Sequence, residues 1–405
     1  MNEDIRTAIV LGGTEPHISL INELKENGYF VVLVDYTDSP PAKGFADRHI
    51  ISSTLDYDSV LKLANDLAAS IVISTCVDQA NVVASYVSEK LNLPRLYSFK
   101  TAVRISKKSE MKDAMMKLGI PTSRYVVSVS GTRGYEALCL PLIVKPSDCT
   151  GSKGVVKVDT YEEVDGAVEA ARSLSPSDTV IIEEFVDGEE VQLDFLIVNG
   201  KPNFIMSRQK VKGITGKGEF QQSSGSTVPA NLTDQDITKF SAYVEKLANE
   251  FDLGTTPFFI QALVNKESIS VIEFAPRIGG GLSHRLIKAV TGVDIIAQSL
   301  NAHLNKPIES KVIKPNAVFR TGLLYSHGGI FGKLEGQDEC LSLELIECFV
   351  PYKKEGEKLG SDLASRNRVA AFISKADNQD SLEKKVRSIF DKVKIYDING
   401  LLINR

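Results

Sequence analysis

The chain has 405 residues, of which 43% are hydrophobic and 24% charged, with a formal net charge of -5. That length exceeds one ordinary hydrophobic core and predicts two or three domains, while the composition excludes a disordered or fibrous chain. Mild acidity without clustered Lys or Arg argues against a nucleic-acid partner, and no apolar run approaches the roughly 20 residues that span a bilayer. Glu3, Asp4 and Arg6 precede only a short apolar run, unlike a signal peptide, so a cytoplasmic protein is expected.

In chain order, residues 7–11 form an apolar run expected to be a buried strand. Gly12 and Gly13 make a turn, and residues 17–27 have helical spacing. Strands at 30–35 and 71–74 then alternate with helices at 60–69 and 80–90, which gives βαβ units and a parallel, Rossmann-like sheet. The Gly12-Gly13 turn lacks the GxGxxG spacing of a dinucleotide site, and Asp35 at the end of the second strand is common in such folds without a cofactor. A Pro-containing stretch at 91–97 closes this first domain, and a helix over 108–118, ended by Gly119 and Pro121, follows it.

Thereafter the pattern becomes α+β. Strands are expected at 142–145, 155–158, 180–184 and 191–198, the last entering an Asn199-Gly200 hairpin turn. From Gly213 to Ser226 the chain is rich in Gly, Lys, Gln and Ser and reads as a mobile loop bordered by Lys210 and Lys212. Residues 234–249 read as a helix, 258–264 and 269–274 as strands, and 282–290 as a helix near a glycine triplet. Beyond about residue 311 short strands alternate with one helix, 382–393. The five cysteines, Cys76, Cys139, Cys149, Cys340 and Cys348, show no zinc or disulfide spacing and read as reduced thiols. Cys149 is set apart by its place in a glycine-containing loop.

Three stretches carry chemistry. Ile143-Val144-Lys145-Pro146 leads into Cys149-Thr150-Gly151-Ser152-Lys153-Gly154, where glycines let backbone N–H groups approach an anion and Ser and Lys add a hydroxyl and a charge. An ordinary hairpin turn uses the same residues. Next, Glu183-Glu184-Phe185-Val186 and then Gly188-Glu189-Glu190 follow an apolar strand. A strand-edge linker of this kind presents a backbone donor and acceptor to adenine, and a carboxylate beyond it can accept both ribose hydroxyls, although a solvated acidic hairpin looks the same. Finally, Gln261 lies on one strand and Glu273-Phe274-Ala275-Pro276-Arg277-Ile278-Gly279-Gly280-Gly281 ends the next. Paired oxygen side chains suit Mg2+ with ATP phosphates, Arg277 can steady charge on a transferring phosphate or an acyl oxygen, and the glycines offer N–H groups to an anion.

Taken in order, Lys108, Lys145 with its glycine loop, the 183–190 linker and the Gln261/Glu273/Arg277 set resemble the ATP-grasp superfamily. That superfamily includes biotin carboxylase, carbamoyl-phosphate synthetase, D-alanine-D-alanine ligase and L-amino-acid ligases. The resemblance implies an α/β and α+β multidomain fold: a Rossmann-like domain over 1–97, ATP-grasp domains over 98–310 (lid 120–187, larger part 188–310) and a small C-terminal α+β domain over 311–405. It implies ATP and Mg2+ or Mn2+ as cofactors. By the family's pattern Lys108 and Lys145 hold phosphates while Gly151, Ser152, Lys153 and Gly154 close over the nucleotide. Glu183, Glu184 and Val186 face adenine, Glu190 faces the ribose, and Gln261 and Glu273 hold the metal. Arg277 acts at the reacting carboxylate, with Gly279 and Gly280 at the substrate.

The chain departs from the family at two places. Gln261 stands where Asp or Glu is usual, as carbamoyl-phosphate synthetases resemble, and Ala275 stands where Asn is common. Either phosphates and water complete the metal shell, or the metal count is reduced. The Glu273–Gly281 string, with Gly329, Gly332, Gly356 and Arg368, looks most like the L-amino-acid-ligase branch. That implies small-molecule carboxylate and amine substrates, an acyl phosphate, and release of ADP and phosphate, with the 213–226 loop keeping water away. The other readings are a purine-pathway ligase resembling phosphoribosylglycinamide synthetase, for which no extra basic cluster is visible, and an ATP-binding module without turnover. His17, His284 and His327 either line the acceptor pocket or are structural. Oligomeric state is not legible, a homodimer being the commonest arrangement of soluble enzymes.

Overall fold

The structure, a computed structural model, describes residues 6–129, 134–149, 154–212, 223–309, 311–361 and 365–405. It begins with β1 (Arg6–Leu11), α1 (Glu15–Glu26), β2 (Tyr29–Asp35), β3 (Arg48–Ile51), α2 (Tyr57–Asp66), β4 (Ile71–Ile73) and α3 (Asp78–Lys90). The strands form a parallel sheet in the order β3-β2-β1-β4. The two-residue strand period sends Ala8, Val10, Val31 and Leu33 towards Leu20, Ile21 and Leu24 of α1, and Ile9, Leu11, Val32 and Val34 towards Val60 of α2 and Val83 and Val87 of α3. Both faces are therefore apolar, as a parallel sheet requires. Strand order reverses between β1 and β4, so their carboxyl ends border the crevice where open α/β sheets bind ligands.

After α4 (Phe99–Ile105) and α5 (Lys108–Lys117) come β5 (Tyr125–Ser128), β6 (Leu142–Pro146), β7 (Val156–Val158), α6 (Val164–Arg172) and β8 (Val180–Glu184). They make an antiparallel sheet in the order β5-β8-β6-β7. Its apolar face, with Leu142, Val144, Val180 and Ile182, packs on Val164, Val168 and Ala171 of α6.

The largest sheet uses β9 (Glu189–Val198), β10 (Lys201–Lys212), β11 (Ser223–Val228), β12 (Thr256–Val264) and β13 (Ile269–Ala275), with α7 (Asp234–Glu250) between β11 and β12. Helices α8 (Ser283–Thr291) and α9 (Ile295–His303) precede β14 (Val318–Leu324), β15 (Gly329–Glu335), α10 (Gln337–Ser342), β16 (Cys348–Pro351), β17 (Lys358–Leu359), β18 (Ala370–Ala376), α11 (Gln379–Lys392) and β19 (Lys394–Asp397). Eight strands run in the order β13-β12-β9-β10-β11-β14-β18-β16, and β17-β15-β19 form a separate small sheet. Phe240, Val244 and Leu247 of α7 pack on Leu193, Phe195, Phe258 and Ile260. On α8 and α9, Leu286, Ile287, Val290, Ile296 and Leu300 join the core beneath the parallel sheet, which fixes that sheet against the larger one.

Two expectations change. Ser223 to Ser226, expected as loop, lie in β11: Ser226 Oγ meets Thr321 Oγ1 at 2.8 Å, and a Cβ at Gly225 would lie 1.9 Å from the Thr321 carbonyl oxygen. Small and hydroxyl residues are what that close strand pairing needs, so a loop-like composition conceals a strand. Residues 213–222 of that stretch lie outside the described residues. The carboxyl-terminal region also holds a second helix, α10, too short to show a period. Asn199 and Gly200 do form the hairpin turn, with φ of 50° and 77°.

Candidate functional site

On β6 and β8, Ile143 is the register partner of Glu183, which brings Lys145 beside the Glu183 carboxylate. Lys145 Nζ donates to Glu183 Oε1, and Lys112 Nζ of α5 lies 2.6 Å from Oε2. Lys112 is only 1% exposed and also donates to Thr122 Oγ1 at 2.8 Å and Ser123 Oγ at 2.9 Å. Burial and the neighbouring Lys145 push the Lys112 ammonium down to about 8, against the pull of Glu183. Burial raises the Glu183 carboxyl, but the two lysines outweigh it and hold it down at about 2. Two ammonium groups on one carboxylate leave one net positive charge in a dry site, which suits a phosphate.

On β9 the alternation of Glu190, Gln192 and Asp194 with Val191, Leu193 and Phe195 turns the polar set away from α7. Register then lines up Glu273, Gln261, Gln192 and Arg208 across β13, β12, β9 and β10. Gln261 Nε2 donates to Gln192 Oε1 at 3.0 Å, Gln192 Nε2 donates to Asp194 Oδ1 at 2.8 Å, and Arg208 Nη2 lies 3.5 Å from the same oxygen. Burial raises the Asp194 carboxyl, opposed by Arg208. Beside this row Lys210 Nζ donates to Glu190 Oε1 and reaches Gln261 Oε1 at 3.5 Å. Gly279 backs onto the row: a Cβ there would lie 2.9 Å from Arg208 Nη2 and 3.2 Å from Gln192 Nε2.

Arg277 points the other way, towards the crevice. Its Nε and Nη2 donate to the two Asp78 carboxylate oxygens at 2.5 Å each, at the start of α3, and its guanidinium lies 5.0 Å from the Phe259 ring centre. Burial works against the charge, yet the Asp78 carboxylate outweighs it and moves the Arg277 titration further up. Across the crevice, His17 meets Thr14 Oγ1 at 2.8 Å and Ser74 Oγ at 3.4 Å, joining the loops after β1 and β4. Burial pushes His17 down to about 4, so it is a neutral strut at physiological pH. Asp35 accepts from Gly13 N at 2.8 Å and from Thr37 N at 2.9 Å, which makes it part of the turn.

The remaining expected site residues divide as follows. Lys108 donates from its backbone N to Ser147 O at 3.2 Å and from Nζ to Cys149 O, beside the glycine loop. Gly151, Ser152 and Lys153 lie outside the described residues. Gly154, with φ of 74°, has Pro146 and Leu174 where a Cβ would stand. Glu184 turns outward to Arg124 Nη1 at 3.0 Å and Cys139 N at 2.9 Å, and Val186 lies just beyond β8, outside the sheet. Gly280 leads into α8, and Ser283 Oγ donates to its carbonyl at 2.8 Å. His284 is buried, and His327 donates its backbone N–H to Ile403 O. Sequence reasoning missed Lys112 and Asp78. The first shares a helix face with the buried Met111 and Met115, and the second opens a helix at the carboxyl end of a parallel strand.

The donors fit a divalent cation in part. Gln261 and Glu273 oppose each other across two strands, while Ala275 adds no side-chain oxygen. Among the described residues no group of three or more His, Cys, Asp or Glu could hold a metal by itself. Mg2+ takes about six oxygens and keeps several from water and substrate phosphates, so two protein donors are compatible with it.

Residues 138–285 match the family model described as the ATP-grasp domain. Over 274 residues the chain is 26% identical to the carbamoyl phosphate synthase large chain of Caldanaerobacter subterraneus subsp. tengcongensis, covering 66% of this chain and 24% of that protein. The chain thus spans well under half the length of this curated relative. The L-amino acid ligase from Bacillus licheniformis superposes with a TM-score of 0.80 at 20% identity, covering 97% of this chain and 98% of the other. Phosphoribosylglycinamide synthetase from Anaerococcus prevotii gives 0.76 at 19% identity, covering 97% and 100%. At such identities the likeness establishes a shared fold over nearly the whole chain.

Proposed function

We propose that this chain, which carries an ATP-grasp domain at 138–285 within an ATP-grasp fold, is an ATP-dependent carboxylate-amine ligase acting on small molecules. The observation that carries this reading is the convergence on one sheet face of Glu190, Lys210, Gln261 and Glu273, from four different strands, together with the buried Lys145–Glu183–Lys112 cluster, which Thr122 ties to β13 by accepting from Lys112 and donating to Val271 O. Lys145 and Lys108 then bind phosphates, Glu190 the ribose, and the backbone around Glu184 and Val186 the adenine edge. Gln261 and Glu273 would hold Mg2+, which when bound neutralises charge on the phosphates.

In the reaction a substrate carboxylate oxygen attacks the γ-phosphorus and the bond to the β–γ bridging oxygen breaks, releasing ADP. An amine then attacks the acyl phosphate, loses a proton and expels phosphate, leaving an amide. Arg277 stands at the end of the strand that bears Glu273, where a guanidinium stabilises the developing acyl oxyanion. Among the described residues no helix is long and apolar enough to cross a membrane.

The test is ADP release from MgATP with a panel of amino acids and other carboxylates, alone and in pairs, with amide formation followed by mass spectrometry. Stimulated ADP release with a matching amide product supports the reading. ATP binding without stimulation by any carboxylate would instead identify a binding module, and stimulation only by a phosphoribosyl amine with glycine would identify a phosphoribosylglycinamide-synthetase-like enzyme.

A further inference from the structure

Lys112 lies on α5, outside the stretches that the sequence marks for chemistry, yet its ammonium joins several parts of the site. The residue is 1% exposed, and Nζ reaches Glu183 Oε2 of β8 at 2.6 Å, Thr122 Oγ1 at 2.8 Å and Ser123 Oγ at 2.9 Å. Three acceptors use all three protons of an ammonium. Ser123 Oγ donates in turn to Glu183 Oε2 at 2.8 Å while Lys145 Nζ donates to Oε1, so both carboxylate oxygens are fixed.

Thr122 carries the same chain of bonds to the large sheet. Its Oγ1 donates to Val271 O at 2.8 Å, and Val271 N donates to Pro121 O at 2.8 Å. β13 is the outermost strand, so residues 121 and 122 occupy backbone groups that a free edge would leave unpaired. Val271 pairs with Ala262 whereas Glu273 pairs with Gln261, which leaves Ile272 as one extra residue between them. A bulge of this kind re-aims neighbouring side chains, and Pro121 and Thr122 grip β13 beside it. The base of Lys112 is equally fixed, because Met111, Ala114 and Met115 of α5 share an apolar cluster with Val271 and Phe274 of β13 and Val244 of α7.

The titratable groups that face Lys112 are Glu183 from β8, Lys145 from β6 and Tyr125 from β5, whose ring centre lies 5.0 Å from Nζ. The Tyr125 hydroxyl donates to the exposed Asp113, and burial pushes the phenol up, so it stays neutral. Charged groups of α4 and α7 engage other positions on α5, Arg104 meeting Glu110 at 3.8 Å and Glu250 meeting Lys117 at 2.8 Å.

We propose that Lys112 is a positioning residue of the nucleotide site, holding Glu183 and Lys145 in register with the strand that bears Glu273 and supplying the one positive charge that the cluster leaves for a phosphate. The assignment rests on the ligase reading above and adds to it a residue that acts through Glu183 and Lys145. With Lys112 protonated, two ammonium groups share one carboxylate. With Lys112 neutral, Lys145 is balanced by Glu183 and the attraction for an anion is lost. Burial and the neighbouring Lys145 hold Lys112 at about 8 in the ligand-free protein. An anion favours the protonated form, so affinity is full below that pH and falls above it.

The experiment titrates the full chain calorimetrically with MgADP from about pH 7 to about pH 9, as wild type, Lys112→Arg and Lys112→Met, each checked by circular dichroism. Wild-type affinity is expected to fall about tenfold across that range, one decade per pH unit above the Lys112 titration. Lys112→Met should bind about tenfold more weakly already at pH 7 and show no such fall. Lys112→Arg, whose guanidinium keeps its charge throughout, should bind more tightly than Lys112→Met and also lose the fall. A merely structural Lys112 would lower the urea midpoint of Lys112→Met and leave its affinity and pH profile those of the wild type, which would overturn the proposal. A wild-type affinity that is flat between pH 7 and pH 9 overturns it even where a variant fails to fold. Either result leaves MgADP binding, and with it the ligase reading, in place, whereas a wild-type chain that binds no MgADP at any pH removes both.

Discussion

Replacing Glu183 by Gln removes the one negative charge that joins Lys112 and Lys145 while keeping the side chain's shape. Glu183 is held near 2 instead of its ordinary 4.5. At about 1.4 kcal/mol per unit, its ionised form therefore contributes on the order of 3 kcal/mol at neutral pH. Without it, Lys112, already pushed down to about 8, loses its proton in the native state. Deprotonating at pH 7 a lysine whose unfolded pKa is near 10.4 costs about 5 kcal/mol, which sets the upper end. The expected loss is thus about 3–5 kcal/mol, the range found when one partner of a buried ion pair is removed. Urea denaturation at pH 7 measures it, and the pH dependence gives the sign. A depressed carboxyl stabilises above its unfolded pKa, so the wild-type protein should lose this contribution as pH falls from about 4.5 to about 2, and the variant should not. His17 and His284 titrate alike in both proteins, so the difference between the profiles isolates Glu183. In the variant, stability should instead rise with pH from below 8 towards 10.5, where unfolded Lys112 is protonated and native Lys112 is not. A change under about 1 kcal/mol, or identical acid profiles, would refute the buried-cluster reasoning.

Three further outcomes can be checked on the same preparation. Lys145→Ala should weaken ATP binding roughly thirtyfold, since a desolvated lysine–phosphate contact is worth about 2 kcal/mol, and unchanged affinity in a nucleotide titration would remove Lys145 from the phosphate site. Glu273→Ala should abolish Mg2+-dependent turnover while circular dichroism stays that of the folded chain, and an undiminished rate at saturating Mg2+ would sink the metal assignment. Asp78→Asn should leave Arg277 a buried cation with a weak partner and lower stability by about 3–5 kcal/mol, read from the denaturation midpoint, with an unshifted midpoint counting against the pair.

Local patterns carried much of the architecture. Between Glu190 and Phe195 polar and apolar residues alternate, and the structure turns the polar set to the cleft and the apolar set to α7. The parallel strands at 7–11, 30–35 and 71–74 follow from apolar runs punctuated by glycine and helical spacing. What local pattern cannot supply is partnership at a distance. Arg277 meets Asp78 across 199 positions, and Glu15 meets Arg285 across 270. Nothing in the Cys76-Val77-Asp78 neighbourhood announces such a partner. Lys112 looks like a surface lysine until α5 is seen to turn that face inward. The row from Glu273 to Arg208 is a product of register in four strands, two of which are separated from the others by a helix and a stretch with loop-like composition.

Three of the cations around the cleft that would meet a phosphate or an acyl oxygen are paired with carboxylates of the chain. Lys145 has Glu183, which it shares with Lys112, Lys210 has Glu190 and Arg277 has Asp78. Such pairing keeps several cations close together without mutual repulsion and holds each in place before a ligand arrives, which lowers the reorganisation needed when charge develops. Arg368 is held differently: among the described residues its Nε donates to the neutral Tyr325 hydroxyl, and it sits half-buried beside Gly281. The Lys145–Lys112–Glu183 cluster keeps one net positive charge for a phosphate to meet, whereas Lys210 and Arg277 are each matched by one carboxylate.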